Sequence, residues 1–214
     1  MAEFSAKDID QMHHLYRINL INSCSGYKSA NLIGTKDKHG VSNVAVFSSV
    51  THLGSNPALL GFFLRPTTVI RNTYDNIKKT GVYTINHIHK DILEDAHHTS
   101  AKYNSEISEF DVTALEEDYK DGFAVPFVKH CPIQLAMRYV EEYNIKANNT
   151  ILLIGKIEKI YVDDSLLKKD GFINLSKANV ATINGLDAYA VPQSHTRLEY
   201  QRPKAGYAHR DNGK

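Results

Sequence analysis

The chain has 214 residues, of which 42% are hydrophobic and 23% are charged, and its formal net charge is +1. These values are typical of a globular protein that can bury a core, and they exclude a disordered chain. The small net charge argues against nucleic acid as a partner, because domains that bind nucleic acid usually carry a marked positive charge.

The N-terminal segment predicts a helix at 5–23. Ser5 is followed by Asp8 at the spacing of a capping box, and apolar residues then recur at helical intervals. The segment has no long apolar run, so it does not look like a secretory signal peptide. The longest apolar runs of the chain, at 58–64 and 151–155, are too short to cross a bilayer. We therefore expect a cytoplasmic protein with no membrane partner.

Strand-like runs and turns follow the first helix. Strands are predicted at 30–35, 41–47, 58–64, 82–88, 132–143 and 150–162, the last with a bulge at Gly155. Residues 36–40 are rich in turn formers, so the first two strands should form a hairpin. A second helix is predicted at 67–81, with Thr67 or Thr68 as its cap and Gly81 at its C-terminal end.

Residues 89–128 are harder to assign. A short helix is predicted in the sequence DILEDAHH, and the remainder looks like an excursion from the scaffold, which in a compact domain is often a functional lid. Many short strands with few helices predict a mainly β fold, a β-barrel with helical decorations. We expect one domain over 1–214, in which 1–24 forms the N-terminal helix and 195–214 a C-terminal arm or tail.

Several strong catalytic motifs are absent from the sequence. It has no GxxxxGK[ST], no GxGxxG after a strand, no HExxH and no GxSxG, which argues against the corresponding nucleotide-binding, metalloprotease and hydrolase classes. Four histidines fall within 87–98, but their spacing fits no established set of metal ligands. We expect these histidines to be surface or packing residues and predict no metal site.

The remaining signal is a concentration of hydroxyl groups and arginines between residues 43 and 73. The apolar strand NVAVF stops alternating after Phe47 and continues as Ser48, Ser49, Val50 and Thr51. Arg65, Thr68, Arg71 and Thr73 follow around the predicted start of a helix. Helix N-termini attract anions, and arginine offers a charged fork suited to phosphate. The pattern predicts a phosphate pocket beside a wall of backbone and hydroxyl groups.

A purely structural explanation of the same residues remains open. Thr68 could only cap a helix, and Arg71 could only pair with Asp75 one helical turn later on the surface.

The ordered set of short motifs resembles the flavin reductase-like, FMN-binding split-barrel family. The motifs are NVAVFS at 43–48, SNP at 55–57, RNTYDNI at 71–77 and TGVYTIN at 80–86. The resemblance continues through CPIQLAMRYVEE and LIGKIEKIYVDD and ends at INGLDAYA, so that it covers roughly residues 20–190. It is weakest at 89–128.

The resemblance implies a bound flavin and the residues that hold it. The flavin ring would lie against Phe47, Ser48, Ser49, Val50 and Thr51, and its phosphate near Arg65, Thr68, Arg71 and Thr73. Ser100 and Lys102 would reach the flavin or a nicotinamide. Members of the family are typically homodimers with FMN near the subunit interface.

Three functions are consistent with the resemblance. The first is an FMN-binding oxidoreductase, a flavin reductase that takes hydride from NAD(P)H and passes it to bound or free flavin or to another small acceptor. The second is a flavin-binding electron carrier without enzymatic activity. The third is a split barrel for another phosphorylated ligand, related to pyridoxine phosphate oxidases, which matches the order of motifs less well. In the first function the cofactor supplies the reactive group, so the sequence assigns no catalytic base.

Overall fold

The structure is a computed structural model that describes residues 1–68, 71–104 and 106–203.

The N-terminal segment forms two helices instead of one. The two helices are α1 (Ala6–Gln11) and α2 (His14–Cys24). Ser5 and Asp8 form the predicted capping box. The single helix predicted at 5–23 is wrong, because Met12 has an extended backbone. Neither helix buries a residue, so no tertiary packing holds the two segments in one continuous helix.

Antiparallel β-sheet is the main regular structure of the described chain. The strands are β1 (Lys28–Ser29), β2 (Asn31–Lys36), β3 (Ser42–Phe47), β4 (Thr51–Ser55), β5 (Ala58–Leu64), β6 (Val82–His87), β7 (Glu117–Asp118), β8 (Phe127–Val128), β9 (Ile133–Ile145), β10 (Thr150–Val162), β11 (Thr182–Asn184) and β12 (Ala188–Ala190). Seven of them pair in the order β3-β2-β6-β9-β10-β5-β4, a small sheet has the order β1-β11-β12, and β7 pairs with β8. The hairpin predicted around 36–40 is the β2–β3 pair.

The predicted strands agree with the observed ones to within one or two residues at each end. The β9–β10 register shifts between Ile154 and Gly155, so the bulge predicted at Gly155 is confirmed. Strand β4 was not predicted. It is a mostly exposed edge strand of polar residues, and it lacks the alternating apolar pattern that marks the others.

One face of the large sheet encloses the main core, which makes the sheet a barrel. This core joins side chains from β2, β5, β6, β9 and β10. Its fully buried members include Ile33, Phe62, Tyr83, Met137 and Leu153. The mainly β barrel expected from the sequence is therefore confirmed.

The third helix, α3 (Asn72–Thr80), places Ile77 in the barrel core. The start predicted for it at 67 is wrong, because Thr67 and Thr68 lie in a turn and Arg71 is the N-cap residue. Its end is as predicted, with Gly81 in the left-handed conformation that glycine adopts without steric strain.

The described part of the segment 89–128 belongs to the scaffold, so the excursion expected there is wrong, while a role as a lid stays a prediction. The predicted short helix is α4 (Leu93–His98), which packs on β3. Phe110, Leu115 and Val128 belong to a second core cluster on the outer side of the barrel wall. A segment that supplies buried core residues cannot open without exposing apolar surface to water.

Residues 195–203 of the predicted C-terminal arm have no regular secondary structure, and residues 204–214 lie outside the described residues. The guanidinium of Arg197 binds Asp170 at 2.6 Å and covers the Phe172 ring. Within the described part of the chain, no helix combines the length and the apolar character needed to cross a bilayer.

Candidate functional site

Residues 47–51, the seam segment, connect the two edge strands of the large sheet. Phe47 ends β3 and Thr51 begins β4. The Phe47 ring packs edge-on against Phe62 of the core, with their centroids 5.1 Å apart. The Phe47 ring therefore serves the core, and a ligand at the seam would have the Phe47 backbone groups to contact.

Two serine hydroxyls fix the seam segment in place. Ser49 Oγ accepts a hydrogen bond from the Phe63 backbone N–H at 3.0 Å and donates to the Phe63 carbonyl at 3.2 Å. Ser29 Oγ donates to the Val50 carbonyl at 3.0 Å. The Ser48 hydroxyl is half-buried and has no hydrogen-bond partner among the described residues. Ser48 and the exposed Thr51, whose hydroxyl also has no partner among the described residues, are therefore the hydroxyl residues of the segment that remain available to a ligand.

Arg65 lies close to the seam segment. It follows Phe63 by two residues, and two residues of extended chain span at most about 7 Å. The hydrogen bonds between Phe63 and Ser49 thus bring the Arg65 backbone to the end of the seam. The Arg65 side chain is exposed and contacts no acidic residue within the described ranges.

Arg71 provides an unsatisfied hydrogen-bond donor at the start of α3. Its Nε is buried and finds no acceptor among the described residues. No side chain caps this end of the helix. The ion pair with Asp75 that the sequence left open is not formed. The contact between the two residues is a backbone hydrogen bond, in which the Asp75 N–H donates to the Arg71 carbonyl at 3.0 Å. A buried donor without a partner is unfavourable by about 1–3 kcal/mol, and an anion at this helix end would satisfy it.

Thr73 and Thr68, the two other predicted phosphate ligands, lie in different surroundings. Thr73 is buried, and its Oγ1 accepts a hydrogen bond from Asn43 Nδ2 at 3.3 Å. Asn76 on the same helix donates to Thr35 Oγ1 at 3.1 Å. These two bonds fix α3 to β2 and β3, so Thr73 positions the helix. Thr68 is exposed in the preceding turn.

The hydrogen bond between Asn43 and Thr73 fixes how far the start of α3 lies from the seam segment. Asn43 and Phe47 are four residues apart on β3, and a strand rises about 3.4 Å per residue. The helix contact and the seam segment are therefore separated by roughly 14 Å along this strand. The arrangement suits an elongated ligand with an anionic end at Arg71 and a planar end at the seam.

A polar cavity of about 250 Å³ also borders the first turn of α3. Its lining includes Asp37 and Asp75, together with Lys38 and Lys79. The charges of the two lysines and the two carboxylates balance, so this cavity has no excess positive charge to attract an anion. We therefore assign the anionic end of the ligand to Arg71 and not to this cavity.

Ser100 and Lys102 follow α4 and are both exposed. The Ser100 backbone N–H closes the helix end by donating to the His97 carbonyl at 3.0 Å. Within the described residues, no hydrogen bond or ion pair connects either side chain to the seam segment or to α3. Their contact with a ligand stays a prediction of the family resemblance.

The sequence analysis missed one buried residue that holds the site, Glu109. Its carboxylate accepts a hydrogen bond from the Val44 backbone N–H at 3.0 Å. Burial raises the pKa of Glu109, and the hydrogen bond from Val44 opposes that rise. The bond links the segment 89–128 to the strand that leads into the seam. No local pattern in the sequence indicates this pairing, because the two residues are 65 positions apart.

The sequence matches a known family over most of its length. The sequence model of the flavin reductase like domain matches residues 26–178. The chain belongs to the flavin reductase-like family. The match includes β1 to β10, the seam segment and α3, and it confirms the resemblance found in the motifs.

Solved structures show the same fold. A protein from Shewanella frigidimarina NCIMB 400, provisionally assigned as a flavin reductase with a split barrel domain, is 43% identical, with a TM-score of 0.90 over 94% of this chain and 100% of that one. Nitrilotriacetate monooxygenase component B from Bacillus cereus is 18% identical, with a TM-score of 0.80 over 92% and 98% of the two chains. The 2-nitrobenzoate 2-nitroreductase from Pseudomonas fluorescens is 17% identical, with a TM-score of 0.79 over 96% and 100%.

Proposed function

We propose that this flavin reductase-like protein binds FMN and acts as an oxidoreductase that uses NADH or NADPH to reduce bound or free flavin. The observation that carries the proposal is the buried, unsatisfied Nε of Arg71 at the uncapped start of α3. In a chain of this family, that donor fits the phosphate of a flavin mononucleotide. The cytoplasmic location expected from the sequence remains a prediction.

Different residues of the site would bind the phosphate and the ring of the flavin. Arg71 and the exposed Arg65 would hold the phosphate, since both offer guanidinium donors suited to its oxygens. The Ser48 hydroxyl and the backbone of 47–51 would orient the ring. When bound, the flavin supplies the hydride and electron chemistry, and the protein supplies position and hydrogen bonds. The half-exposed seam leaves one side of the ring open to a nicotinamide or to an acceptor.

The test of the proposal is turnover of reduced nicotinamide. We expect the purified protein to oxidise NADH or NADPH in the presence of FMN at a rate that saturates with both, measured by the loss of nicotinamide absorbance. Replacing Ser48 with Val should lower this rate, because it removes one of the two hydroxyls of the seam segment, with that of Thr51, that have no partner in the described structure. Ser165→Val, far along the chain and exposed in a short 3₁₀ helix (Asp164–Leu166), serves as the control.

Bound FMN without oxidation of either nicotinamide, whatever acceptor is added, would contradict the enzymatic proposal and leave the electron carrier. Tight binding of another phosphorylated ligand, such as pyridoxal phosphate, in preference to FMN would favour the third function.

We also propose a homodimer that places the flavin near the subunit interface. An apolar patch lies on the outer face of the large sheet, next to the seam. Phe63 and Leu152 are paired in register, and Tyr143 pairs with Leu152 on the next strand. Phe63 and Tyr143 expose 41% and 54% of their surface, and Leu53 packs on the same face beside Gly61. Exposed apolar patches of this kind are typical of protein interfaces.

Light scattering should give twice the chain mass of 24.1 kDa. Phe63→Glu should shift the protein toward the monomer, because it places a charge in the centre of the patch. Ile160→Glu is the matched control, since Ile160 is also exposed and lies eight residues from Leu152 on β10. A monomeric wild-type protein that binds FMN stoichiometrically would contradict a shared site.

A further inference from the structure

A second cavity lies next to the seam segment, and Ser29 stands between the two. It has a volume of about 280 Å³ and a mostly apolar lining. The lining residues come from 27–30 around β1, the end of β6, the segment 175–182 that leads into β11, and Pro192. Ser29 is shared between this cavity and the seam, because it lines the cavity while its hydroxyl binds the Val50 carbonyl.

His87 is one of the polar residues that line the cavity, together with Tyr27, Lys28, Ser29, Ser176 and Thr182. Its ring lies deep in the protein, yet it keeps an accessible side toward the cavity and has no hydrogen-bond partner among the described residues. Burial lowers the pKa of His87 from its ordinary value of 6.5 to about 4. The imidazole is therefore neutral near pH 7, with one nitrogen that donates and one that accepts.

Asn31 shows that polar groups at this rim of the barrel lack partners. It pairs in register with His87, so the two side chains lie on the same face of the sheet. Asn31 is fully buried, and neither its Nδ2 nor its Oδ1 finds a partner among the described residues. Buried polar groups in folded proteins are nearly always hydrogen-bonded.

Few charged groups surround the cavity, and the ammonium group of Lys28 points away from it. Lys28 Nζ donates to the Asn22 carbonyl at 2.8 Å and to Ser25 Oγ at 3.1 Å, which directs its charge toward the end of α2. Among the described residues, no carboxylate lines the cavity. A ligand with a net charge would lose its hydration here without gaining a charged partner.

We propose that this cavity binds a small, uncharged aromatic molecule of one or two rings, with a hydroxyl or carbonyl group that forms a hydrogen bond to the His87 imidazole. The size follows from the volume, which is about twice that of an engineered cavity that accepts benzene, roughly 150 Å³, and below the usual range for larger ligands. The site is separate from the proposed flavin site and does not depend on flavin binding.

The test uses 2-naphthol as the probe and 2-naphthoate as the charged control of the same ring system. Each is titrated by calorimetry into the full-length protein with and without added FMN. The ring nitrogens of ¹⁵N-labelled histidines are followed by NMR. We expect saturable binding of 2-naphthol that shifts the His87 nitrogens, both with and without FMN. 2-Naphthoate should bind at least about tenfold more weakly, because its charge must be buried.

Two variants test the assignment of the cavity. His87→Phe should weaken 2-naphthol binding about tenfold, as expected for one lost hydrogen bond, and His39→Phe, at an exposed histidine, should not. Ser176→Phe narrows the cavity without altering His87, so it should also weaken binding if His87→Phe folds poorly. The proposal is overturned if the wild-type protein shows no saturable binding, if 2-naphthoate binds as well as 2-naphthol, or if Ser176→Phe binds 2-naphthol as the wild type does.

Discussion

Arg71→Ala is expected to weaken FMN binding by roughly 10- to 100-fold, the loss that follows when a charged hydrogen bond of about 1.5–3 kcal/mol is removed. The Arg71 Nε is buried and unsatisfied in the described structure, so a phosphate that accepts from it relieves an unfavourable state and adds a favourable contact. The dissociation constant is measured by fluorescence titration of FMN. Arg71→Lys should give an intermediate loss, because lysine keeps the charge but lacks the planar fork.

The apoprotein provides an internal check on this result. Removing a buried donor that has no partner should leave the melting temperature of the apoprotein unchanged or slightly raised, so weaker FMN binding would not reflect poor folding. Arg138→Ala is the matched control, since Arg138 is exposed and pairs with Glu158 on the sheet. Unchanged FMN affinity in Arg71→Ala would place the phosphate elsewhere.

Gly34→Ala is expected to lower the free energy of unfolding by about 3 kcal/mol, at the upper end of the usual range for overpacking a core. A Cβ at Gly34 would lie within 3.0 Å of the Pro126 carbonyl oxygen and of Thr84 Oγ1. The Thr84 hydroxyl donates to that same carbonyl at 2.7 Å. The added methyl group would break this buried bond and push β8 away from the barrel. Urea denaturation followed by circular dichroism measures the change.

Gly54→Ala is the control for this substitution. Gly54 lies on the edge strand β4, where the nearest atom to an added Cβ is the Pro57 carbonyl oxygen at 3.3 Å. An edge strand can shift to accommodate that contact, so the expected loss is below about 1 kcal/mol. Equal stability of the two variants would mean that the segment carrying Pro126 is not packed against β2 as described.

The sequence predicted those parts of the fold that local patterns control. The apolar run at 58–64 coincides with β5, and the bulge at Gly155 lies where glycine interrupts a long strand. In contrast, β4 has a polar sequence and is paired on one side only, so its pairing with β5 is not visible in its own residues. The strand forms because the turn before β5 folds it back on its neighbour.

Contacts between distant residues explain most of what the sequence did not show about the site. The start of α3 is set by the bond between Thr73 and Asn43, 30 residues apart, and not by the threonines that looked like caps. Ser49 was expected to face a ligand, but its hydroxyl binds Phe63, 14 residues later. A composition rich in hydroxyl groups therefore marks the end of β3, but it does not show which of the hydroxyls lacks a partner.

The segment 89–128 illustrates the same limit on a larger scale. Its polar and acidic sequence favours an excursion, and only the folded structure shows that Phe110 and Leu115 bury their side chains against the outer wall of the barrel. Glu109 then holds the Val44 backbone from that side. The candidate site thus depends on the contact between Glu109 and Val44, which no short sequence motif indicates.

The most direct test of the account is an FMN titration of the wild-type protein, followed by gel filtration and a visible spectrum. We expect the flavin absorbance to elute with the protein, and we expect excess FMN to raise its stability, by about 2.7 kcal/mol at a hundredfold excess over the dissociation constant. A protein that elutes without flavin absorbance and whose melting temperature does not change in excess FMN would contradict the proposed site.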